Sequence, residues 1–137
     1  MSKRGFDPLT YRFKDQQPSP GTLTEVADGI FWARMPMGGR LNHINVWVLR
    51  DHDGWTIVDT GLFRKDVQQC WRDIFKNHLG SDPVVRVIAT HLHSDHTGLA
   101  GWLTQEWDCE LWMSRADFFM CKEMEFHWQK KHQRKKI

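Results

Sequence analysis

The stretch Val84-Val85-Arg86-Val87-Ile88-Ala89-Thr90-His91-Leu92-His93-Ser94-Asp95-His96 decides how this chain folds. Its first half is a β-branched run of the kind that forms a buried central strand. The run empties directly into three histidines and an aspartate, so the cluster sits at a strand's carboxyl end. His91 and His93 are two residues apart, and in extended backbone both imidazoles project to the same side, where they can grip one cation. Asp95 and His96 follow closely enough to serve a neighbouring ion. Neutral imidazoles with one carboxylate suit zinc, iron or manganese, whereas calcium or magnesium call for mostly oxygen donors. At this chain's own His and Asp frequencies, His-x-His-x-Asp-His arises by accident in roughly two chains per thousand, so a solvated turn that happens to be His-rich is the weaker reading.

Working outward from that strand, apolar positions upstream recur at Val67, Cys70, Trp71, Ile74, Phe75 and Leu79, a helical spacing that Gly80 ends. This predicts a helix on one face of a sheet. Before it, Ile44–Leu49 and Trp55–Val58 flank the turn formers Asp51-His52-Asp53-Gly54, and Leu23–Val26 and Ile30–Met35 flank Asp28-Gly29, which predicts two hairpins. Downstream, Gly98 to Trp107 suits a short helix, Cys109 to Met113 a strand, and Arg115 onward a helix through Phe118, Phe119 and Met124. Hairpins followed by alternating strands and helices indicate an α/β or mixed α+β architecture. Trp47, Trp55, Trp71, Trp102, Trp107 and Trp112 fall on strand or helix faces and are expected first of all in the core, with lining of the approach to the site as the alternative for one or two of them.

Residues 1–21 are polar, with Pro8, Pro18, Pro20 and Gly21, and read as an extended lead-in laid over a domain of residues 22–125; residues 126–137 form a basic tail. At 137 residues with 40% hydrophobic content and eight Trp, a core of useful size can be buried. A net charge of only +2 gives no chain-wide field of the kind that announces a nucleic-acid or anionic-membrane partner. The basic start at Lys3-Arg4 has no apolar run behind it, and no stretch approaches the ~20 apolar residues of a membrane span, so the expectation is a soluble, unexported, cytoplasmic protein. Cys70, Cys109 and Cys121 match neither a disulfide framework nor a paired-thiol zinc knuckle and read as reduced structural thiols.

Two motifs in order, Val58-Asp59-Thr60-Gly61 and Thr90-His91-Leu92-His93-Ser94-Asp95-His96-Thr97-Gly98, each after a strand, resemble the metallo-β-lactamase superfamily. The resemblance covers about residues 22–120 and implies one half of a four-layer αββα sandwich, with a mixed sheet and helices on one face. It implies that His91 and His93 serve a first metal and Asp95 and His96 a second, zinc in most cases, with iron or manganese as alternatives. It also implies that Asp59 lies beneath the site and organises the metal-binding loop; a plain turn-forming Asp is the alternative.

Complete relatives add a later His, a bridging Asp and a further His. His127 and His132 are the only histidines after His96, and both fall in a basic, helix-prone end, so no evident counterpart exists and a truncated chain or interrupted frame is expected.

The function this implies is hydrolysis of a small-molecule substrate by a metal-activated water, of the thioesterase or general hydrolase type. A bound metal lowers the pKa of its water from 15.7 toward about 7 and polarises the oxygen under attack. Asp95 is the expected catalytic residue, directing the attacking water as well as binding the second metal. His43, after a Gly-rich turn, is a candidate for the substrate side, with simple strand-edge placement as the alternative. Two rivals belong to other classes. One is a non-catalytic metal-binding or interaction fragment that holds an ion weakly or only across a homodimer; the other is a nucleic-acid-processing relative, against which the near-neutral charge argues.

Overall fold

The computed structural model describes residues 12–13 and 16–133, with side chains described through residue 125. Its elements are β1 (Thr24–Ala27), β2 (Ile30–Pro36), β3 (His43–Asp51), β4 (Gly54–Val58), α1 (Lys65–His78), β5 (Val84–Ile88), α2 (Ser94–Thr97), α3 (Ala100–Trp107), β6 (Glu110–Trp112) and α4 (Arg115–Gln133). The strands form one six-stranded sheet in chain order. Both expected hairpins are present, and β2 also pairs with β3 along its whole length, so β1 to β4 make a single antiparallel meander. β4, β5 and β6 are parallel, joined by helical crossovers through α1 and through α2 and α3. The architecture is the expected mixed α/β one.

The pleat sorts side chains by a period of two. Ile44, Val46 and Val48 of β3 are buried while Asn45 and Trp47 between them are exposed. On the buried side, Ala33 and Met35 of β2, Ile57 of β4 and Val87 of β5 join one core with Val67, Cys70, Trp71 and Ile74 of α1 and Leu103 of α3. Trp71 is fully buried and stacks on Phe75 at 5.8 Å, with Trp102 and Trp107 packed around Phe75. Burying that one indole is worth about 3–5 kcal/mol against truncation to alanine. Gly80, at φ +66°, follows the end of α1 in the left-handed conformation that a helix-terminating glycine takes.

The opposite face carries an apolar row that the registers place side by side, Trp32–Trp47–Val58–Ile88–Trp112. Trp47 and Trp112 in this row are 36% and 48% exposed, so for these two the first expectation, a place in the core, is corrected. For Trp47 the reason is parity, since it sits one residue out of phase with the buried positions of β3; for Trp112 it is place, since all three residues of β6, the last strand of the sheet, are exposed. Trp55 and Trp71 are buried as expected.

Most of the expected lead-in, and the last four residues of the basic end, lie outside the described residues. So do the side chains of His127 and His132, although α4 itself continues to Gln133. All three cysteines are free thiols, as expected. Among the described residues no helix is long and apolar enough to cross a membrane.

Candidate functional site

β4 and β5 end beside one another, and the Asp59 N–H donates to the Ile88 carbonyl at 2.8 Å as the last rung between them. Beyond it the two chains separate into the loops that carry Asp59-Thr60-Gly61 and Thr90 to His96. The histidines are not on extended backbone. β5 stops at Ile88, residues 90–92 form a bend, and only His93 returns to extended torsions as it caps α2. The bend follows from where Thr90 finds its partner: its N–H donates to Asp59 Oδ1 at 2.8 Å instead of continuing a ladder. The expected side-by-side placement of His91 and His93 is therefore achieved by a bend, with ring centroids 4.7 Å apart and nearly perpendicular planes.

Asp59 holds this loop from below. It is 4% exposed and adopts a left-handed backbone at φ +64°, which aspartate tolerates better than most residues because its short side chain bonds locally. Its carboxylate accepts from Thr90 N, from Thr90 Oγ1 at 2.9 and 3.0 Å, and lies 2.8 Å from His96 Nδ1. Thr60 works beside it. Its N–H and hydroxyl both donate to the His96 carbonyl at 2.9 Å, and its Oγ1 accepts from Leu99 N at 3.1 Å. Trp71 Nε1 donates to the Thr60 carbonyl at 2.8 Å, tying the loop to the core.

These partners fix the tautomers. A carboxylate only accepts, so in the neutral ring His96 carries its proton on Nδ1 and leaves Nε2 bare. The Thr90 hydroxyl proton goes to Asp59, so its oxygen, 3.0 Å from His91 Nδ1, accepts from that nitrogen and leaves His91 Nε2 bare as well. The bare His91 Nε2 faces His93 Nδ1 at 3.0 Å, and the bare His96 Nε2 faces Asp95 Oδ2 at 3.4 Å. Two nitrogens bound tetrahedrally to zinc at 2.0–2.1 Å lie about 3.3 Å apart, so both pairs have the spacing of two ligands on one ion. The donor chemistry fits a transition metal. Among the described residues, however, no three His, Cys, Asp or Glu side chains gather into a group that could hold an ion; the donors come in twos.

Asp117 at the start of α4 accepts from Leu92 N at 3.1 Å and so anchors the same bend. Gly98 closes the far side: a Cβ there would stand 2.5 to 2.7 Å from the Ser94 and Gly61 carbonyl oxygens and the Phe63 nitrogen.

His43 lies at the start of β3, on the sheet edge where β4 and β5 end, because β3 runs antiparallel to β4 and β4 parallel to β5. Its Nδ1 is 2.7 Å from Arg34 Nη2, and the ring lines a cleft with Pro18, Pro20, Arg34, Pro36 and Asn42. Burial, and then the Arg34 charge, hold its pKa below the ordinary histidine value. The thiols of Cys70 and Cys109 are both pushed up, chiefly by burial.

Sequence reasoning named Asp59, His91, His93, Asp95 and His96, and missed Thr90, Thr60, Arg34 and Asp117. Thr60 and Thr90 each stand beside a predicted site residue within the two motifs, which is a usable signal. Arg34 and Asp117 act through tertiary contacts that no local pattern encodes.

The chain matches the family model described as metallo-beta-lactamase superfamily over residues 39–134. Among curated proteins it is similar to a linear primary-alkylsulfatase of Pseudomonas sp, 31% identical over 68% of this chain and 15% of the relative. It is also similar to the acyl-coenzyme A thioesterase MBLAC2 of Bos taurus, 28% identical over 53% of this chain and 28% of that protein. Its fold superposes on the crystal structure of a beta-lactamase domain protein from Burkholderia ambifaria with a TM-score of 0.78 and 43% identity, over 80% of this chain and 35% of that one. The chain thus spans well under half the length of each of these relatives. A family match over residues 39–134, on a fold whose two motif loops meet through Asp59, places this chain in the metallo-beta-lactamase superfamily.

Proposed function

We propose that the chain is the metal-binding front portion of a hydrolase acting on a small molecule, with zinc as the preferred ion and iron or manganese as alternatives. In this reading His91 Nε2 and His93 Nδ1 hold one ion, and Asp95 and His96 Nε2 hold a second. A bound divalent metal supplies Lewis-acid polarisation and an ionised water near neutral pH.

The chain's own residues do the rest. Asp59 keeps His96 in the tautomer that offers Nε2, and Thr90 does the same for His91. Asp95 orients the attacking water by accepting its hydrogen bond, so that attack follows one direction. The observation that carries the reading is the pair of bare imidazole nitrogens fixed by one buried carboxylate and its threonine partner; carboxylate-supported histidines of this kind are the usual outer support of catalytic metals. The activities of the two curated relatives point to thioesters and alkyl sulfate esters as the substrates to try first. A cytoplasmic setting, with neither nucleic acid nor membrane as partner, belongs to the same proposal.

The test is metal content by mass spectrometry on purified protein together with hydrolysis of a thioester and an alkyl sulfate, with and without added zinc. Uptake of zinc, iron or manganese with metal-dependent turnover is expected; no uptake of any of the three sinks the reading. The pairing of donors in twos supports a second reading, in which the chain binds metal without catalysis, or completes its donor set across a homodimer. Stoichiometric metal without turnover, or metal uptake that rises with dimer formation, selects it.

A further inference from the structure

The edge of the sheet that bears the histidine loop carries a second polar set that the proposed hydrolysis does not use. Arg34 of β2 and His43 of β3 are diagonal neighbours, since Arg34 pairs with Asn45 and His43 with Pro36. Arg34 Nη1 donates to Gln17 Oε1 and Nη2 to His43 Nδ1, while Nε is buried with no acceptor among the described residues. A guanidinium presents five N–H donors and no acceptor, so three of its donors have no partner among the described residues.

Because Arg34 can only donate, His43 Nδ1 accepts and the His43 proton sits on Nε2. Asn42 Oδ1 lies 2.6 Å from the same Nδ1. The low pKa of His43 agrees with a neutral ring beside a permanent cation.

These residues and three prolines line a cleft of about 210 Å³, room for several water-sized groups. Among the described residues no carboxylate lines it, and the one full charge in it is that of Arg34. A rigid proline wall around a guanidinium short of acceptors is a site for an anion, because planar or tetrahedral oxyanions fill a guanidinium fork with charge-assisted hydrogen bonds.

We propose that the Arg34–His43 cleft is an oxyanion subsite that binds the charged end of the substrate while the bond to be broken lies at the His91–His96 loop. This rests on the hydrolase reading above for the identity of the occupant, but not for the binding itself. β3 and β5 are two strands apart, on the order of 10 Å across the sheet, so the substrate is a molecule whose carboxylate, phosphate or sulfate lies about that far from the scissile group.

The test is equilibrium binding with no metal and no turnover, so its failure leaves the hydrolase reading standing, and failure of the hydrolase reading leaves it intact. Butyrate, inorganic phosphate and inorganic sulfate are titrated separately while the Arg34 Nε–H and His43 ring resonances are followed by NMR. Saturable movement of both resonances by at least one anion, with a Kd of about 1 mM or tighter, is expected, and the tightest of the three tells a planar from a tetrahedral charged end. Arg34→Met weakens that binding by roughly tenfold or more, and Arg34→Lys, which keeps the charge without the fork, recovers only part of it. Absence of saturable movement in the wild-type chain up to about 50 mM, or undiminished affinity in Arg34→Met, overturns the proposal; the wild-type titration decides even where a variant fails to fold.

Discussion

His96 Nδ1 stands 2.8 Å from Asp59 Oδ2 although 37 residues separate the two in sequence. The contact joins the end of β4 to the one-turn helix α2, and only 6% of the Asp59 side chain is exposed. Whatever His96 does with its outer nitrogen is therefore governed by a carboxylate buried beneath it.

Asp59→Asn tests this cleanly, because asparagine also tolerates the left-handed backbone of this position and leaves the turn intact. An amide offers one acceptor oxygen where Thr90 and His96 need a carboxylate, so zinc affinity is expected to fall by roughly 10- to 100-fold. Competition with a chromophoric chelator measures it, and an unchanged affinity removes Asp59 from the site.

Asp95→Asn keeps the shape of the side chain and removes its charge beside His96 Nε2, 3.4 Å away. Both metal content and turnover should drop, turnover by roughly a hundredfold or more if Asp95 also directs the water. Full metal loading with a normal rate would refute the assignment.

Gly98→Ala drives a methyl group into three backbone atoms at 2.5 to 2.7 Å, none of which can swing aside as a side chain does. The expected cost is about 1–3 kcal/mol, seen as a lower Tm in circular dichroism. Gly101→Ala is the control, since nothing lies within 4 Å of its added Cβ on α3, and it should stabilise by about 0.5–1 kcal/mol. Equal Tm shifts of the same sign would contradict the packing described here.

His43 should titrate below 6.5 when its ring resonances are followed against pH. The sign is set by linkage: with the folded pKa lowered, the unfolded chain binds the extra proton more readily. The contribution of His43 to stability is thus complete above its unfolded pKa and is lost as pH falls from 6.5 through the folded value. A midpoint at or above 6.5 would mean that the ring is neither shielded from water nor held beside Arg34 as described.

Trp71→Phe leaves the Thr60 carbonyl without its 2.8 Å donor in a dry place. The lost volume and the unsatisfied oxygen together cost about 2–4 kcal/mol. Because Thr60 also holds the His96 carbonyl, zinc affinity should weaken alongside Tm; weakening of Tm alone would separate core from site.

The elements were legible in the sequence wherever one local force dominated. Val84 to Ile88 is apolar enough to be central, Val67 to Ile74 repeats at helical spacing, and Asp28-Gly29 and Gly80 carry turn chemistry that few conformations satisfy. The metal-type loop was legible because its four ligand-type residues, three His and one Asp, crowd into six positions. What escaped depends on partners distant in sequence. Nothing in the local pattern says that Thr90 turns toward Asp59, that β2 zips to β3, or that Arg34 meets His43. Trp47 and Trp112 were misplaced because hydrophobicity states a preference for burial without saying which side of a sheet receives cover.

The rung from Asp59 to Ile88 and the Thr90 contact just past it make the site the terminal clasp of a parallel seam between strands that lie about thirty residues apart. Seams of that kind assemble slowly, since the intervening helix must be gathered in before any pairing is rewarded. On the proposed metal-binding reading, an ion held at this clasp would stabilise the closed seam between β4 and β5, by an amount that grows with the logarithm of its affinity.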